Sequence, residues 1–259
     1  MKSTPTQNLV LGSSLLTGEL FLTIVIASIV KLIEPQIPVF QILLCRYLFC
    51  LPLLVIYGRL SLGPQFLKVT NARILFLRTF CGFLGLLFWY LAIAIIDISL
   101  ATVLLNTMPL FITLLSALMG HDSIGKNRIL AVMFGFGGVL LILLPIKADF
   151  NLIGVSYALL GAFFAGLMFV FIRVLGKSDA SISTAIWYNA FGALASGIIC
   201  TIFTSFQFLD YTKTDGLHPL VLLITIGIIA SFQQFFLAES HRYVGASTLA
   251  PLHYLSIPI

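Results

Sequence analysis

Apolar positions in this chain do not recur at a helical or a strand period; they fill whole stretches. Nine such stretches, at about 9–30, 37–57, 74–95, 98–119, 129–146, 153–175, 183–205, 219–238 and 244–259, carry almost no charge. A transmembrane helix needs roughly 20 predominantly apolar residues, so each stretch predicts a membrane-spanning helix and the chain predicts an all-α, polytopic integral membrane helix bundle. The longest connections, Gly58–Arg73 and Phe206–His218, are too short to fold alone. Only Met1–Asn8 precede the first span, with one Lys and no small-residue cleavage pattern, so that span is expected to be retained.

Composition agrees: 60% of residues are hydrophobic, 9% are charged, and the mean hydropathy is +1.12. Such a chain has too little polar surface for a soluble globule. Cys45, Cys50, Cys81 and Cys200 all fall inside apolar spans, where cysteines behave as small hydrophobes, so neither a disulfide framework nor a metal site is expected. The formal charge of +5 gathers into no patch for nucleic acid. The basic residues follow topology instead. With a cytoplasmic N-terminus, Lys2, Arg59, Lys68, Arg73, Arg78, Lys126, Arg128, Arg173, Lys177 and Arg242 lie inside, and only Lys31, Lys147 and Lys213 outside. The positive-inside rule therefore predicts a multi-pass protein with its N-terminus in the cytoplasm.

The order of spans and linkers repeats at a displacement of about 145–150 residues. Five spans, an odd number, separate the two starts, so the second half enters the membrane inverted. We expect two inverted five-helix repeats, 1–146 with spans one to five and 147–259 with spans six to nine. Inverted repeats of this kind typify secondary transporters, whose substrate site lies near the midplane between halves. On this pattern a tenth helix is missing and the chain is expected to be C-terminally truncated.

Polar residues within the spans are the candidate site. Glu19 falls near the middle of span one and Arg46 near the middle of the oppositely directed span two, at similar depth, so an ion pair between them is geometrically allowed. Such a pair can fix helix packing, bind a charged substrate group, or carry a coupling proton, for which a buried carboxylate suits better than a guanidinium. In span four, Asn106 and Thr107 precede Pro109, which breaks the helix ladder and frees a carbonyl near Leu105. They can line a substrate path or satisfy the freed backbone. Pro251 and Pro258 suggest the same kink in span nine, beside His253 and Tyr254. Gln233 and Gln234 in span eight point about 100° apart, so at least one must face the interior. Trp187 and Tyr188 fit an interfacial belt, leaving Asn189 to seek an internal partner, whereas Trp89 and Tyr90 fit a cavity wall.

Gly82-x-x-Gly85, Gly135-x-x-Gly138 and Gly192 read as close helix contacts. No phosphate-binding loop, dinucleotide fingerprint, zinc-protease motif or nucleophile elbow is present. No catalytic residue, cofactor or ATP-driven mechanism is therefore expected.

Several segments together resemble the EamA-type members of the drug/metabolite transporter superfamily. They are Gln41-Ile-x-x-x-Arg46-Tyr-Leu-Phe, Leu77-Arg78, Pro109-Leu-Phe-Ile-Thr-Leu-Leu, Gly135-Phe-Gly-Gly-Val-Leu-Leu-Ile and Ala246-Ser-Thr-Leu-Ala-Pro251-Leu-His-Tyr254. The resemblance covers essentially the whole chain. It implies ten helices in two repeats and a carrier or exporter of small organic metabolites in a bacterial inner membrane, working by alternating access. Carriers of S-adenosylmethionine and of riboflavin share the late Ala-Pro-x-x-Tyr pattern, so both are candidate substrates. The family commonly has Gly-Glu after span four, where this chain reads Gly120-His121. A proton gradient is the expected drive, and a homodimer is compatible with the reading. Two other readings remain open: a truncated, non-transporting remnant, and a membrane-embedded lipid-modifying enzyme. The scattered histidines (His121, His218, His241, His253) favour the enzyme least.

Overall fold

The computed structural model describes residues 8–118, 151–176, 178–203 and 218–244, with isolated positions between 130 and 141 and at 249, 252 and 253. Most of expected spans five and nine, with Pro251, Pro258, Tyr254 and the Gly120-His121 departure, lies outside the described residues. Eight helices follow in order: α1 (Leu9–Ile33), α2 (Val39–Leu62), α3 (Ala72–Ile95), α4 (Ile98–Leu105), α5 (Met108–Leu118), α6 (Leu152–Leu175), α7 (Ser181–Phe203) and α8 (Pro219–Tyr243). A 3₁₀ turn, Gly63–Gln65, follows α2. No strand occurs among the described residues. Counting α4 and α5 as one broken span, seven helices among the described residues are long and apolar enough to cross a membrane. This is a polytopic membrane bundle.

Local chemistry sets the ends. Asn8, Asn71 and Asn151 each accept a backbone N–H of the first turn, and His218 does the same for α8, where Pro219 occupies the first helical position. Gly63, at φ +60°, ends α2 in a conformation that disfavours a side chain. Span four is broken two residues before the proline: α4 stops at Leu105 and α5 restarts at Met108. Pro109 has no N–H to give to Leu105. The turn is made instead by Thr107 N–H donating to the Leu104 carbonyl at 3.0 Å.

Packing pairs helices that are distant in sequence. α3 lies along α6, α1 along α8, and α2 against both α7 and α8. Glycine makes the α3–α6 contact close: a Cβ on Gly85 would sit 3.0 Å from the backbone nitrogen of Ala165. Leu48, Ile56, Phe76, Leu194 and Phe232 are exposed, as a lipid-facing surface requires. Between α2 and α3 the chain is fastened to the second half at two points. The Trp187 indole donates to the Leu67 carbonyl at 3.0 Å, and Thr70 N–H donates to Asp179 Oδ1 at 2.6 Å.

Candidate functional site

The bundle encloses a cavity of about 540 Å³ walled by residues of all eight helices. It reaches exposed Ser28 and Ser99, near the end where α1 finishes and α4 begins. Buried Met168, Phe169, Leu237 and His253 line it elsewhere. Most of the wall is apolar, with a few convergent polar groups, the usual composition of a small-molecule site.

Those groups form one network across three helices. Glu19 of α1 is 5% exposed, and its Oε1 accepts from the Thr23 hydroxyl at 2.8 Å and from Gln233 Nε2 at 3.1 Å. The spacing of four residues puts Thr23 one turn from Glu19 on the same helix face. Gln233 of α8 also donates through Nε2 to Thr23 Oγ1 at 2.7 Å. Its carbonyl accepts from Arg46 Nη2 of α2 at 2.9 Å. The direct ion pair that the sequence allowed is replaced by a relay through Gln233. The reason is length: an amide between the two side chains satisfies both a carboxylate and a guanidinium without their touching. Arg46 Nε and Nη1 are buried without a hydrogen-bond partner, and the guanidinium rests over the Tyr47 ring at 5.2 Å.

A second buried cation stands behind this wall. Arg78, read from sequence as a residue of the cytoplasmic end, is 1% exposed. Its Nη1 donates to the Thr184 carbonyl at 2.7 Å, and its guanidinium lies over Tyr188 at 4.8 Å. The Tyr188 and Tyr47 hydroxyls meet at 3.1 Å, so a chain of ring and hydroxyl contacts joins the two arginines. Tyr188, assigned from sequence to an interfacial belt, is 2% exposed and lines the cavity. Trp187 is half-exposed and holds the α2–α3 connection.

Of the residues singled out in the sequence, Glu19, Arg46, Trp89, Tyr90, Asn106, Gln233, Gln234 and His253 line the cavity together. Thr107 is buried off its wall, and its hydroxyl donates to the Leu104 carbonyl at 2.8 Å. Asn106 also donates to its own helix, at the Thr102 carbonyl. Both therefore support the broken backbone, one of the two roles open to them. Asn189 is fully buried away from the cavity and donates to the Ala185 carbonyl at 2.8 Å. His253 stands edge-on to Phe169, whose ring also stacks on His241, both with centroids 5.0 Å apart. No cluster of His, Cys, Asp or Glu fit for a metal occurs among the described residues. Sequence reading missed Thr23, Tyr188 and Phe169. Only Thr23, spaced four residues from Glu19, left a signal.

A multi-pass helical bundle with a part-polar cavity has the build of a membrane carrier. Residues 11–144 match the EamA-like transporter family model, and the chain belongs to that family. It is 26% identical over 236 residues to an S-adenosylmethionine uptake transporter of Rickettsia prowazekii, covering 88% of this chain and 74% of that one. An uncharacterized transporter of Acidianus ambivalens is 30% identical over 193 residues, covering 74% and 73%. A riboflavin transporter of Vibrio cholerae is 29% identical over 189 residues, covering 71% and 59%. One solved crystal structure of a protein shares the fold at a TM-score of 0.72 and 14% identity, covering 95% of this chain and 84% of that one.

Proposed function

We propose that the chain is a secondary carrier of a small organic metabolite in a bacterial inner membrane, alternating access through the central cavity with a proton on Glu19 as the coupling ion. The observation that carries this reading is the Glu19–Gln233–Arg46 relay. It sets an ionisable carboxylate, an amide and a fixed cation on the wall of a cavity inside a membrane bundle. Charged side chains in that setting are costly unless they serve a pathway.

The packing supports two inverted repeats, 1–146 and 147–259. A pseudo-twofold relating spans one to five to spans six to ten exchanges the α3–α6 contact with α1–α8 and maps α2–α7 onto itself, and these are major contacts of the bundle. With the N-terminus inside, as the basic residues favour, Ser28 and Ser99 lie toward the periplasm, so this arrangement is outward-open. S-adenosylmethionine and riboflavin, named for relatives, are the first substrates to try.

Uptake into proteoliposomes under an imposed pH gradient tests the reading. At least one labelled metabolite, with these two first in the screen, is expected to accumulate and to be released when the gradient is collapsed. Accumulation unaffected by collapse would reject proton coupling, and silence across a broad metabolite screen would reject the carrier.

A further inference from the structure

Among the described residues the buried charge is not balanced. Arg46 and Arg78 are each 1% exposed, and Glu19 is the one buried carboxylate among the described residues. Arg78 meets only a backbone carbonyl and the Tyr188 ring; Arg46 meets an amide oxygen and the Tyr47 ring. A ring face attracts a cation without cancelling its charge. A guanidinium keeps its proton throughout the physiological range. Among the described residues the buried side chains therefore carry net positive charge whether Glu19 is ionised or not, and more of it when Glu19 is protonated.

We propose that the solute received in this cavity carries a carboxylate or a comparable oxyanion, that Arg46 pairs with it, and that the solute travels together with a proton on Glu19. The inference rests on the carrier reading above and adds the chemistry of the solute to it. Arg46 is built for this pairing. Of its five N–H donors, the Gln233 carbonyl takes one, and Nε and Nη1 have no acceptor. Small local movement of the side chain presents a two-pronged face that matches a carboxylate. Trp89 and Tyr90 stand on the same wall to hold the remainder of the solute.

The proton follows from the relay. An anion on Arg46 takes over the counter-charge that Glu19 supplies through Gln233, and repels an ionised Glu19. Glu19 then accepts a proton from cavity water, and returns it to water on the other side when the anion leaves. A solute recognised by Glu19 through a cationic group has the opposite linkage, because it expels the proton. The sign of the pH dependence thus reports which group receives the solute. Besides Glu19, the charged and titratable groups on this wall are Arg46 from α2, Tyr90 from α3, Tyr188 from α7 and His253; the break between α4 and α5 faces it with Asn106, α6 with Met168 and Phe169, and α8 with Gln233 and Gln234.

The experiment is equilibrium binding of radiolabelled probes to the purified protein between pH 5 and 8. The probes are amino acids, dicarboxylates and S-adenosylmethionine, set against nucleosides and polyamines. Carboxylate probes are expected to bind, to weaken by up to about tenfold per pH unit as Glu19 loses its proton, and to lose at least about tenfold as methyl esters. Glu19→Gln should flatten the pH dependence of that binding. Arg46→Gln should abolish binding. Arg46→Lys, which keeps the charge and serves if the Gln variant does not fold, should weaken binding with the slope unchanged. Binding confined to nucleosides or polyamines, esters equal to their acids, tighter binding at high pH, or wild-type affinity in both Arg46 variants would each overturn the inference and leave the carrier reading intact. No binding by any probe, together with no transport in the screen above, would overturn both.

Discussion

Replacing Glu19 with Gln is expected to leave the bundle assembled and to remove the response of transport to pH. The substitution keeps the shape of the side chain and an oxygen that can accept from Thr23 and from Gln233 Nε2, the two contacts the carboxylate makes now. It removes the only buried carboxylate among the described residues. With no proton to take up on this wall, a gradient of pH has no purchase on the cavity, while an opposing solute gradient can still drive exchange. The measurement is uptake by proteoliposomes at a series of internal and external pH values, beside a melting curve in detergent. Loss of pH response with an unchanged melting temperature is the expected pair. A variant as pH-responsive as wild type would remove Glu19 from the coupling.

Gly227→Val is expected to have the largest structural effect of any single substitution in the membrane. Gly227 of α8 packs directly on Phe49 of α2, and a Cβ there would overlap the Phe49 Cβ and lie 3.1 Å from its Cα and carbonyl carbon. These atoms belong to the backbone or are bonded to it, so no rotamer change relieves the overlap, and one helix must move. Overpacking a tight core costs typically about 1–3 kcal/mol. Because Gln233 follows about a turn and a half later on α8, the displacement also lengthens the bridge to Arg46. A fall in melting temperature together with weakened substrate binding is expected. Gly197→Val serves as the control: its nearest neighbour, Leu44 Cδ1, lies 3.7 Å from an added Cβ. Equal melting temperatures for the two variants would show that the α2–α8 contact tolerates separation.

Much of this architecture was legible in runs of apolar residues. The helices expected at 9–30, 74–95 and 153–175 are found at Leu9–Ile33, Ala72–Ile95 and Leu152–Leu175. Boundaries erred where a helix continues past its apolar run, as α8 does through Glu239 and His241 to Tyr243. Such residues tolerate the helix because its end leaves the hydrocarbon or packs within the bundle. The site was legible to the extent that membrane burial of a polar group needs a reason, which drew attention to Glu19, Arg46 and Gln233. It could not say that an amide would stand between the charges, because hydropathy gives depth and not azimuth. The burial of Tyr188 and of Arg78 was missed for a related reason. An aromatic or a cation near a span end serves an interface by default, and only the crossing of α3 with α7 turns these two inward.

The two tryptophans occupy opposite kinds of ground. Trp89 lies on the cavity wall at 5% exposure; Trp187 is 43% exposed and its indole clasps the Leu67 carbonyl of the α2–α3 connection. Trp187→Phe therefore leaves a single tryptophan on the cavity wall, and Trp89→Phe leaves a single tryptophan at the α2–α3 connection. Excited selectively over the tyrosines, each variant is expected to report optically on one of these two places without an attached dye.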